Sequence, residues 1–237
     1  MSKEKGLYRK RFGAFCALAL TFVMSLNLAG CAQGGTGAEG STATTDPETV
    51  IEAPKASSAD LYCLEFNTFS GAYVEDGKNE KVEDVAAILV ENRSEAFLDR
   101  ATVKYKYGDE TATFLVTGLP AGQRCWVMEA GKFKPDGKSS FEFEDCTSAF
   151  KEDAVLATDK LKTESKDNVL TVTNISEQTL NDVCVYYKNT ADDGAFLGGI
   201  TYMISFDTLA PGEELEKASG HFSETSKIVR YSFREES

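Results

Sequence analysis

The chain carries a single histidine, His221, set in Ser219-Gly220-His221-Phe222-Ser223. Histidine is the usual proton carrier near neutral pH, so one copy confines most acid–base or nucleophilic chemistry to a site built around it. A serine hydrolase of the elbow type needs G-x-S-x-G, which the sequence lacks. Cysteine catalysis would draw on Cys63, Cys125, Cys146 or Cys184, and none sits in a recognisable local signature. No two of them form C-x-x-C, and His221 is distant from all four in sequence, so a zinc site is not expected. Carboxylates are plentiful, and a glycosidase needs only two, but no pair stands out. Glu75-Asp76-Gly77 and Asp192-Asp193-Gly194 read as hairpin tips, because Asp and Gly tolerate the positive φ of tight turns. Neither has the staggered ligand spacing of a calcium loop. The sequence implies no cofactor and no metal.

Aromatic side chains offer a second route. Trp126, Tyr186 and Tyr202 would form a stacking platform for sugar or peptide if one face exposed them all. The other reading places Trp126 at a contact between two domains. With Asp192 and Asp193, these residues are the candidate ligand or partner contacts.

The N-terminus gives an address. Lys3, Lys5, Arg9, Lys10 and Arg11 precede an apolar stretch from Phe12, which ends in Leu28-Ala29-Gly30-Cys31. A basic head, an apolar middle and a small-residue cleavage site are the parts of a secretory signal. The last four residues resemble the lipobox of bacterial lipoproteins. That resemblance implies cleavage after residue 30 and acylation of Cys31, which anchors the chain to the membrane. Removing residues 1–30 leaves 20 Lys and Arg against 37 Asp and Glu, a net charge of −17. Such an excess opposes nucleic-acid binding and adhesion to anionic lipid, so the acyl chains must do the holding. An exported location permits disulfides among Cys63, Cys125, Cys146 and Cys184, with three possible pairings. Buried reduced thiols are an equally good use of them.

Residues 31–58 comprise the acylated cysteine and a tether rich in Gly, Ala, Ser and Thr without apolar periodicity. Its 27 residues after Cys31 span on the order of 30 Å as a random coil. A tether this long is more usual in wall-bearing bacteria with one membrane, the Gram-positive type. Beyond it lies an internal repeat. At a constant offset of 82, Val90, Asn92, Ser94, Glu95, Leu98, Val103, Tyr105 and Lys106 meet Val172, Asn174, Ser176, Glu177, Leu180, Val185, Tyr187 and Lys188. Farther on, Leu119-Pro120-Ala121-Gly122 answers Leu209-Ala210-Pro211-Gly212 at an offset of 90, so the second copy holds eight extra residues near Thr190–Gly199. This insertion is the expected place for partner contacts, removable without loss of folding.

Each copy reads as strands. Ala101, Val103, Tyr105 and Tyr107 alternate with polar residues, and Val183, Val185 and Tyr187 face one way while Cys184 and Tyr186 face the other. Asn and Ser of the N-x-S-E segments are placed to bond their own backbone in a turn. Only Cys146–Leu156 has room for a short helix. The expected fold is all-β: two tandem immunoglobulin-like β-sandwich domains, residues 59–144 and 145–237.

The run Val169–Asn189, with its N-x-S-x-x-x-L turn and V-C-V-Y-Y-K-N strand, resembles the FxLYD-type, immunoglobulin-like domains of bacterial lipoproteins. Lys188-Asn189 stands where that family has its aspartate. The resemblance implies a fold and carries no catalytic residue. The functional expectation is a non-enzymatic, membrane-anchored extracellular lipoprotein, a binding or scaffold module facing an envelope protein or glycan. The rival expectations are a carboxylate-dependent cell-wall hydrolase and the solute-binding receptor subunit of an importer.

Overall fold

The computed structural model describes residues 55–56, 61–151 and 156–236. They belong to one compact unit, Ala53–Ser237. The signal segment, Cys31 and most of the tether lie outside the described residues. Among the described residues every regular element is a strand: β1 (Lys55–Ala56), β2 (Leu61–Ala72), β3 (Lys81–Asn92), β4 (Phe97–Tyr107), β5 (Glu110–Leu119), β6 (Arg124–Met128), β7 (Phe141–Lys151), β8 (Leu161–Lys166), β9 (Val169–Asn174), β10 (Leu180–Thr190), β11 (Phe196–Leu209), β12 (Glu214–Ala218) and β13 (Ser226–Glu235). The fold is all-β and of the sandwich type.

The duplication is visible in the strand pairing. In copy one β2, β3 and β6 are neighbours, and β4 lies between β5 and β7; in copy two β8, β9 and β12 are neighbours, and β10 lies between β11 and β13. In each copy the first, second and fifth strands thus share one sheet and the third, fourth and sixth another, a partition compatible with an immunoglobulin-like sandwich. The copies do not stand apart. β11 also pairs in parallel with β6, through Phe196↔Cys125 and Leu197↔Trp126. One seven-stranded sheet, β1-β2-β3-β6-β11-β10-β13, therefore runs through both.

Alternation decides the inward faces as expected. Ala101, Val103, Tyr105 and Tyr107 of β4 are buried, as are Val183, Val185 and Tyr187 of β10, while Cys184 and Tyr186 are half-exposed. β3 departs from alternation, because Val85 to Val90 are all buried. Ala86, Ile88 and Val90 enter the sandwich core, whereas Val85, Ala87 and Leu89 pack on the outer face beneath Tyr73, Val74, Ala195 and their neighbours. A continuous apolar run is the mark of a strand covered on both sides.

The expected helix over Cys146–Leu156 is not seen in its described part: Cys146 to Lys151 continue β7, with Cys146 opposite Val103 and Lys151 opposite Phe97, and residues 152–155 lie outside the described residues. The long-range ladder to β4 outweighs weak local helical spacing. The same strand crosses the 144/145 boundary expected from the sequence and belongs wholly to the first copy's ladder.

The N-x-S segments build the same turn twice. Asn92 Nδ2 donates to the carbonyls of Ala96 and Leu119 at 2.9 and 3.0 Å, and its Oδ1 accepts from the Ser94 amide and hydroxyl. Asn174 Nδ2 donates to Gln178 and Leu209 at 2.8 and 3.0 Å, and its Oδ1 accepts from Ser176 in the same two ways. Both asparagines are fully buried. Asn92→Ala and Asn174→Ala are each expected to cost about 2–3 kcal/mol, because each strands one buried carbonyl, Leu119 or Leu209, and releases the turn held by a second, part-buried one. Urea denaturation should show a lower midpoint with little change in slope.

Candidate functional site

The most unusual chemistry lies where β11 leaves one partner for the other. Tyr187 pairs with Tyr202 and Asn189 with Leu197, so four residues, Gly198 to Thr201, stand opposite Lys188 alone. Two glycines make this bulge possible. Gly198 has φ +90°, and a Cβ there would lie 2.5 Å from Val74 Cγ2. A Cβ on Gly199 would fall 1.8 Å from the Leu115 carbonyl oxygen, so β11 passes almost in backbone contact with β5.

A bulge frees backbone groups that burial would leave unpaired. Lys188, 0% exposed, supplies the donors. Its Nζ donates to the carbonyls of Gly198, Gly199 and Ile200 at 3.0, 2.8 and 2.8 Å. Glu75, from the β2–β3 connection of copy one, supplies the acceptors. Its carboxylate accepts from the amides of Gly199 (2.8 Å to each oxygen), Ile200 (3.1 Å) and Met128 (2.8 Å). Burial pushes the Glu75 carboxyl up, against the amide hydrogen bonds and Lys188. Burial pushes the Lys188 ammonium down, against Cys125 and Glu75. The hydrogen-bond partners suit the ionised forms, since Glu75 meets only donors and Lys188 only acceptors. Cys125 Sγ donates to the Gly198 carbonyl at 3.1 Å, and burial raises its thiol to about 11.

The candidate contact residues are divided around this centre. Trp126 is buried among Ala87, Leu89, Ala191, Ala195 and Leu197, and its Nε1 donates to Asp193 Oδ2 at 3.0 Å. It therefore packs between the copies, and the aromatic platform does not form. Tyr186 and Tyr202 point to opposite faces of one sheet. Tyr202 packs on the core of copy two and donates its hydroxyl to the Val74 carbonyl at 3.1 Å. Tyr186 packs against the core of copy one, with Arg230 4.3 Å from its ring centre. Asp192 and Asp193 occupy an exposed tip, as the turn signal suggested.

The insertion differs from the expected removable loop, although Asp192 to Gly194 at its tip are exposed. Ala195 and Phe196 are buried, so Thr190–Gly199 is a strap across copy one and not a free loop.

His221 meets no nucleophile through its ring. The ring lies flat on Tyr202, 4.6 Å between centres and 7° between planes, and Nδ1 is 3.3 Å from Asn79 Nδ2. Ser219 Oγ accepts from the His221 backbone amide and bonds the Tyr187 hydroxyl instead. Cys63, Cys125 and Cys184 are thiols outside any disulfide, and Cys63, Cys125 and Cys146 are buried. Burial raises Cys63, like Cys125, to about 11. Among the described residues no three His, Cys, Asp or Glu side chains are gathered as a metal site. A cavity of about 130 Å³ near Asp167, Asn168, Phe222 and Glu224 is smaller than ordinary ligand pockets.

Sequence reasoning missed Glu75 and Lys188. Glu75 looked like one more hairpin acid, and Lys188 aligned with Lys106, whose side chain is 58% exposed. The usable signal was Gly198-Gly199 directly after the insertion. No protein-family model matches the chain, and no curated protein matches it either.

Lys188→Met keeps the unbranched stem, one atom shorter, but strands three carbonyls and leaves Glu75 without its counter-charge. The expected loss is about 3–5 kcal/mol, read by chemical denaturation. Thiol alkylation of the native protein at pH 8 should modify Cys184 well ahead of Cys63, Cys125 and Cys146, with all four reacting after unfolding; peptide mass spectrometry reads the order.

Proposed function

We propose that this chain is a non-enzymatic extracellular lipoprotein, held to a bacterial membrane by acylated Cys31. In this reading its folded part presents two fused immunoglobulin-like modules to an envelope protein or glycan. The observation that carries the reading is the use made of its reactive groups. Lys188 and Cys125 are buried, and Glu75 half-buried, against backbone amides and carbonyls at the junction of the copies. His221 stacks there on Tyr202. Groups so committed hold a structure together; general acid–base catalysis needs them within reach of a substrate. The −17 charge of the chain beyond residue 30 keeps such a module soluble at the cell exterior and directs it away from anionic polymers.

The anchor is tested in a Gram-positive host by fatty-acid labelling and fractionation. Wild type should carry label and sediment with membranes, whereas Cys31→Ala should lose both properties. A Cys31→Ala protein that still labels and sediments would refute the anchor.

A further inference from the structure

We infer that folding dependence between the copies runs one way: copy two completes copy one, while copy two closes its own core unaided. The buried cluster of copy two, from Leu161 to Tyr231, draws only on its own strands. Copy one has no such independence. Its main core takes in Phe196 and Val229 from copy two, with Tyr186 packed against it. Its two outer clusters take in Ala195 and Leu197 of the strap. Glu75 finds two of its three amide donors on Gly199 and Ile200. Without copy two, therefore, copy one would keep an uncovered β3 face, an unpaired β6 edge and a buried-type carboxylate lacking most of its partners. Contacts in the other direction reach the bulge and rim of copy two and not its buried cluster: Glu75 on the Gly199 and Ile200 amides, Tyr202 on the Val74 carbonyl and Arg230 on Asp99. The fold thus contains an assembly lock, in which the N-terminal copy stays open until the C-terminal copy has formed and laid its strap across it.

The repeat supplies a matched test in the full chain, because Val103 and Val185 are equivalent positions and both are fully buried. The single tryptophan, Trp126, reports on copy one by fluorescence, and amide exchange along β10 reports on copy two. Val185→Ala should lower the denaturant midpoint of Trp126 and the protection of β10 together. Val103→Ala, and Phe196→Ala in the strap, should lower the Trp126 midpoint while β10 amides stay protected, even if copy one unfolds entirely. Trp126 unaffected by Val185→Ala, or β10 protection lost in Val103→Ala to the same extent as in copy one, would overturn the inference.

Discussion

Three consecutive residues, Gly198 to Ile200, are held between a buried ammonium and a half-buried carboxylate, and the arrangement of this protein depends on that contact. A strand that leaves its ladder must find new partners for every buried N–H and C=O it frees. Here one ammonium takes the carbonyl side and one carboxylate takes the amide side. Either ion alone would carry a heavy desolvation cost, and together they leave the junction neutral. The peptide dipoles between them are oriented favourably to both. Neutral side chains of similar size would offer fewer donors to the carbonyls or fewer acceptors to the amides.

That contact frees β11 to serve two sheets. Its first residues extend copy one as a parallel neighbour of β6, and its later residues remain the hairpin partner of β10. Copy one is consequently covered where copy two is bare. β3 is buried on both faces, while its counterpart β9 alternates between buried Leu170 and Val172 and half-exposed Thr171 and Thr173. Those threonines meet Glu216 and Glu214 on a solvated face. Equivalent strands of the two copies are thus an interior element once and a surface element once, and the eight-residue insertion supplies the cover.

What the sequence made legible was local. Alternation assigned the inward faces of β4 and β10 because period-two patterning needs no knowledge of neighbours. Asn92 and Asn174 announced their turns because an Asn side chain bonds backbone two and four residues away. What stayed hidden was decided at long range. Lys106 and Lys188 are the same letter at equivalent positions, yet one faces solvent near Glu144 at 3.9 Å and the other is enclosed by the bulge. Glu75 sits in a turn whose composition fits any hairpin tip, and its partners come from 124 and 125 residues downstream. Trp126 is buried because the strap crosses it, and no periodicity within β6 encodes that covering.

The strap also decides which strand edges are covered among the described residues. An uncovered strand edge invites further pairing, and proteins protect such edges with charge, bulges or a covering strand. In copy one the edge of β6 carries Trp126 and Val127 and is covered by β11. The equivalent strand of copy two, β12, ends its sheet among the described residues. It places Glu216 and Lys217 where β6 has Trp126 and Val127. Another strand arriving there would have to bury charge against backbone, whereas at β6 it gains the burial of an indole. The apolar acceptor on the first copy and the charged residues at the equivalent place on the second therefore direct β11 to β6.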